Sequence, residues 1–153
     1  MYQQIVVGTD GSEGADIAVD AAIAQAAVGG GTVHVVMVYK TAGAATMAMA
    51  SEAAIIASAG EADEASREHA EQVCARAVQR ADDAGVRAQW HAVDGAPADA
   101  LITVAEEIEA DLIVVGNRGM SGARRFMLGS VPNKVSHHCP TNLLMVDTST
   151  ATT

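Results

Sequence analysis

The sequence predicts an α/β fold, a doubly wound five-stranded parallel sheet with helices on both faces. Five short β-type runs, at residues 5–7, 33–39, 86–93, 112–115 and 143–146, alternate mostly with helical patterns of about ten residues or more. The first, fourth and fifth runs are almost continuously apolar, as strands covered on both faces are. A length of 153 residues suits one compact domain, taken as residues 1–147 with a disordered tail at 148–153.

After the first run, Ser12 is a good N-cap for a helix carrying Ile17, Ala18, Ala21, Ala22 and Ala26, which the glycines at 29–31 end. Residues 41–60 follow the second run without a clear pattern. Met47, Met49, Ile55 and Ile56 fit either a short helix on the core or a lid over a ligand, and both stay open. A helix from about Ser66 has Ala70, Val73, Cys74, Ala77, Val78 and Ala81 on one stripe and stops at Gly85. Cys74 inside that stripe reads as a small buried hydrophobe. A third helix begins near Pro97, a residue suited to a first turn, and buries Leu101, Val104, Ala105 and Ile108. A fourth begins near Ser130 and must stop before Pro140.

Nine Lys plus Arg against nineteen Asp plus Glu give a net charge of −10, a field that repels a phosphate backbone or an anionic membrane. Nucleic acid and membrane are therefore excluded as expected partners. Cys74 and Cys139 form neither a disulfide framework nor a zinc site, and the N-terminal residues lack the order of a signal peptide, so a cytoplasmic location is expected. The stretch 41–60 has Glu52 near its centre and is too weakly apolar to span a bilayer.

In an open parallel sheet a ligand lies beyond the carboxyl ends of the strands, where strand order reverses. Two glycine-rich turns fall at such ends, Gly8-Thr9-Asp10-Gly11-Ser12 and Gly116-Asn117-Arg118-Gly119. The second continues to Gly129-Ser130 as G-x2-G-x9-G-S, ending where a helix starts. That spacing is a phosphate grip: free N–H groups of Gly129 and Ser130 at the positive end of the fourth helix, with the Ser130 hydroxyl as a further donor. Arg118, Arg124 and Arg125 put three of nine basic side chains in this one loop.

Other constellations are weaker. His137-His138-Cys139 diverge in direction at a helix end and fit a C-cap better than a metal. Glu106, Glu107, Glu109 and Asp111 read as a solvated face. No Lys precedes Ser130 to make a Walker pattern, and there is no G-x-S-x-G elbow.

Residues 5–12, 114–119 and 129–131 resemble the universal stress protein family, and the similarity runs from Ile5 to Val146. The resemblance implies a Rossmann-like sheet of order 3-2-1-4-5 and, for the G-x2-G-x9-G-[S/T] subgroup, a bound adenine nucleotide, ATP. It implies that Asp10 faces ribose or a phosphate-bound Mg²⁺, with Gly8 and Thr9 on the same wall, and that Val38 offers its backbone to the adenine edge. Val115, Gly116, Asn117, Arg118 and Gly119 would pass close to ribose and phosphates, and Gly129, Ser130 and Val131 would bind the phosphates. Pro132 departs from the family pattern and removes one N–H from the first turn, so AMP or cyclic AMP stands beside ATP.

No His or Glu is placed by the motif beside a terminal phosphate, so a regulatory binder is favoured over an efficient enzyme. A slow ATPase or self-phosphorylating enzyme and a partner-binding module with a vestigial pocket are the alternatives. The apolar run 142–146, with no Lys or Pro, is expected to be an edge strand that pairs in a homodimer.

Overall fold

The computed structural model describes residues 1–41, 52–117 and 128–149, with residues 52–59 described by their backbone alone. Nine elements alternate: β1 (Gln4–Gly8), α1 (Glu13–Gly29), β2 (Thr32–Tyr39), α2 (Glu52–Asp83), β3 (Arg87–Asp94), α3 (Pro97–Glu107), β4 (Leu112–Gly116), α4 (Ser130–His138) and β5 (Asn142–Val146). The strands form one parallel sheet in the order β3-β2-β1-β4-β5, as the family resemblance implied.

Alternation along each strand divides the core into two layers. Ile5, Val7, Val33, Val35 and Val114 pack beneath α1 and α2, whereas Val6, Val36, Ile113 and Val115 pack beneath α3 and α4. β1 and β4 sit centrally and are apolar at successive positions because both faces are covered. The glycines after α1 have separate duties. Gly30 takes the left-handed C-cap conformation (φ 69°), and a Cβ on Gly31 would lie 2.6 Å from the Tyr2 carbonyl oxygen.

Three expectations need correction. The second helix starts at Glu52, well before Ser66, because its first turns are rich in alanine, which favours a helix where no apolar stripe announces one. Ile55 and Ile56 therefore lie on α2, whereas Met47 and Met49 lie outside the described residues. β5 is only partly covered: Leu143 meets the α3/α4 layer and Leu144 and Val146 meet the α1/α2 layer, but none of the three is fully buried and Met145 is 45% exposed. Thr148, expected to belong to a disordered tail, is buried and hydrogen-bonded.

Candidate functional site

β1 and β4 are neighbours, with Val7 opposite Val114, yet the chain leaves them toward opposite faces of the sheet. In open α/β sheets a divergence of this kind is where a ligand crevice lies, beyond the carboxyl ends of the two strands. The β1 wall is held by its own hydrogen bonds. Thr9 N–H donates to the Val36 carbonyl (2.9 Å), Thr9 Oγ1 accepts from Gly11 N–H (3.2 Å) and Asp10 Oδ1 accepts from Ser12 N–H (3.0 Å). Gly8 and Gly11 let the turn settle between two helices. A Cβ on Gly8 would lie 3.1 Å from Leu101 Cδ1 of α3, and one on Gly11, at φ +78°, would lie 3.2 Å from Val73 Cγ2 of α2.

The α1 start closes on itself. Ser12 Oγ accepts from Ala15 N–H (3.2 Å), and Glu13 and Asp16 place carboxylates in the first turn. At α4 the N-cap is Gly129, with no side-chain cap and no acidic residue in the first turn. Asn133 N–H makes the first helical bond, to the Gly129 carbonyl (3.1 Å), and Pro132 has no N–H. Gly129 N–H was expected to be free, but it donates to the Asn117 carbonyl (3.2 Å), which ties the start of α4 to the end of β4. The N–H groups of Ser130 and Val131 have no partner among the described residues, and Ser130 is exposed. With the Ser130 hydroxyl they are hydrogen-bond donors at the positive end of α4.

The remaining site candidates divide by position. Val38 is half-buried near the end of β2, and Val115 is buried, so the latter can offer only backbone to a ligand. Gly116 ends β4. The Asn117 amide is already engaged: Nδ2 donates to Asp147 Oδ1 (3.0 Å), and Oδ1 accepts from Thr148 N–H (3.0 Å) and Oγ1–H (2.9 Å). Sequence reasoning missed Asp147 and Thr148, because nothing local marks residues whose partner is 30 and 31 positions away. Arg118, Gly119, Arg124 and Arg125 lie outside the described residues.

The other titratable groups singled out in the sequence have different surroundings. Burial pushes the Cys74 thiol up to about 11, consistent with a packing role rather than reactivity. His137 and His138 are exposed in the last turn of α4, where cations suit the helix end. Glu106, Glu107 and Glu109 are exposed, but Asp111 is not merely solvated, since it accepts from Gln3 N–H (2.8 Å) and Gln4 N–H (3.1 Å). Among the described residues no three His, Cys, Asp or Glu side chains are grouped to hold a metal, and no helix is long and apolar enough to cross a membrane.

Comparison with known proteins points the same way as this architecture. Residues 1–147 match the universal stress protein family. Universal stress protein Rv1636 of Mycobacterium tuberculosis (strain H37Rv) is 34% identical, covering 97% of this chain and 98% of its own. A universal stress protein solved in complex with cAMP is 36% identical over 97% of this chain and 99% of that one, with a TM-score of 0.71. The solved protein MJ0577 shares the fold at a TM-score of 0.80 and 23% identity, over 96% of each chain. A family match across nearly all of the sequence, on a sheet of this order, makes the chain a member of the universal stress protein family.

Proposed function

We propose that this chain is a regulatory protein that binds an adenine nucleotide beyond the carboxyl ends of β1 and β4, and that it holds the ligand rather than turning it over. The uncapped start of α4 is the observation that carries this, because its two amides and one hydroxyl converge where the sheet's connections divide. The relative solved with cAMP supports an adenine nucleotide as the guest. Phosphate rests on Ser130 and Val131, Asp10 Oδ2 meets a ribose hydroxyl, and the Val38 backbone meets the adenine edge. With Gly129 N–H committed and Pro132 lacking one, the described donors suit a single phosphate, so cyclic AMP or AMP is preferred over ATP. Asp10 is one carboxylate and fits a Mg²⁺ held chiefly by nucleotide phosphates, so the ion enters with ATP.

Free Cys74 and Cys139 fit a cytoplasmic protein, and the acidic chain is not a partner for nucleic acid. The half-exposed edge of β5, Asn142–Val146, pairs with a second copy to make a homodimer. Calorimetry of nucleotide-stripped protein against cyclic AMP, AMP and ATP, with and without Mg²⁺, tests the binding reading. About one ligand per chain and an affinity that does not climb with phosphate number are expected. Failure to bind any of the three overturns it. Steady phosphate release abolished by Asp10→Ala would establish the slow ATPase in its place.

A further inference from the structure

We infer that the chain just after β5 is a clasp that positions the anion-accepting start of α4. This rests on the nucleotide site proposed above and assigns Thr148 a positioning role in it. Thr148 is only 5% exposed, and both its N–H and its hydroxyl donate to Asn117 Oδ1, at 3.0 and 2.9 Å. Asp147 takes the other end of that amide, from Nδ2 at 3.0 Å. The Asn117 backbone is tied on both sides as well, its N–H to the Val146 carbonyl (2.8 Å) and its carbonyl to Gly129 N–H (3.2 Å).

Asn117 is therefore fixed by the segment 146–148 and in turn fixes Gly129, the residue from which α4 departs. Thr148 also packs on the other helix of the crevice. A Cβ on Gly14, in the first turn of α1, would lie 3.4 Å from Thr148 Cβ, an ordinary contact distance, so the threonine side chain sits directly against that turn. One side chain thus links the beginnings of α1 and α4 across the end of the sheet. Its hydroxyl is spent on Asn117, and its effect on a ligand is transmitted through the Asn117–Gly129 bond rather than by touch.

The test uses the full chain with Thr148→Val, which keeps shape but loses the hydroxyl, and Thr148→Ser, which keeps the hydroxyl. Amide exchange is read in nucleotide-free protein, and cyclic AMP affinity by calorimetry. Thr148→Val is expected to speed exchange at Gly129, Ser130 and Val131 and to weaken cyclic AMP binding about threefold to tenfold, while the amides of β1 and β4 keep their rates. Thr148→Ser restores both. Unchanged exchange at those three amides, unchanged affinity, a serine variant that fails to restore, or faster exchange spread across β1 and β4 overturns the clasp. If the unaltered protein binds no cyclic AMP, AMP or ATP, the nucleotide reading fails, and the exchange data judge the clasp by themselves: local acceleration reversed by serine upholds it, and any other pattern overturns it.

Discussion

Two helices begin at the same end of the sheet, and they begin differently. α1 opens with Ser12 bonded to Ala15, an Asx turn at Asp10 and two carboxylates in its first turn, so its positive end is answered from within the chain. α4 opens with Gly129, an exposed Ser130 and a proline, and no side chain caps it. A helix start that stabilises the fold is completed by its own neighbours. One left incomplete beside a crevice serves something that arrives later.

The contrast breaks most sharply if the two starts are made alike. Ser130→Glu gives α4 the internal carboxylate that α1 has, and it should weaken cyclic AMP binding by more than about tenfold while raising stability by about 0.3–1 kcal/mol. Calorimetry and thermal unfolding, read together, check the opposite signs; unchanged affinity would show that no anion rests on α4. On the α1 side stability should fall while affinity holds. Gly11→Ala forces φ +78° on a residue with a Cβ and sets a methyl 3.2 Å from Val73, at a cost of about 1–2 kcal/mol. Ser12→Ala removes one cap and should cost about 1 kcal/mol, or about 2–4 °C in Tm, with affinity held within about twofold.

How much of this could be read from the residues depends on how local each signal is. β1 and β4 declare themselves by unbroken runs of Ile, Val and Leu, and Ser12 caps the helix it was expected to cap. The start of α2 does not, since its first turns are rich in alanine and carry no stripe. At the site, Asp10 and Ser130 stand out by their position after a strand and before a helix. The commitment of Gly129 N–H to Asn117, and of Asn117 to Thr148, does not, because both depend on how distant segments meet. The same limit hid His34, which looks like one more position in an apolar strand.

That histidine supplies the smallest expected effect and a control for the comparison. His34 is buried on β2, with Nε2 2.8 Å from Gln4 Oε1 and Nδ1 3.1 Å from His91 Nε2 on β3. Facing a carbonyl oxygen, Nε2 carries the proton, and Nδ1 is left to accept from His91. Burial, followed by the charge of His91, lowers the pKa of His34 below its ordinary 6.5, and burial lowers that of His91 against the pull of Glu107. Both groups resist charging in the folded state, so the unfolded chain binds more protons as pH falls through about 6.5. Stability should be complete above that pH, decline below it and level off once the folded histidines titrate. A denaturant series from pH 7.5 to about 5 checks this, with His34→Gln flattening the slope. Cyclic AMP keeps one negative charge across the same range, unlike a phosphate monoester whose second pKa lies near about 6. Its affinity for the folded protein should therefore stay level while stability falls, because the helix start proposed to hold it contains no group that titrates there.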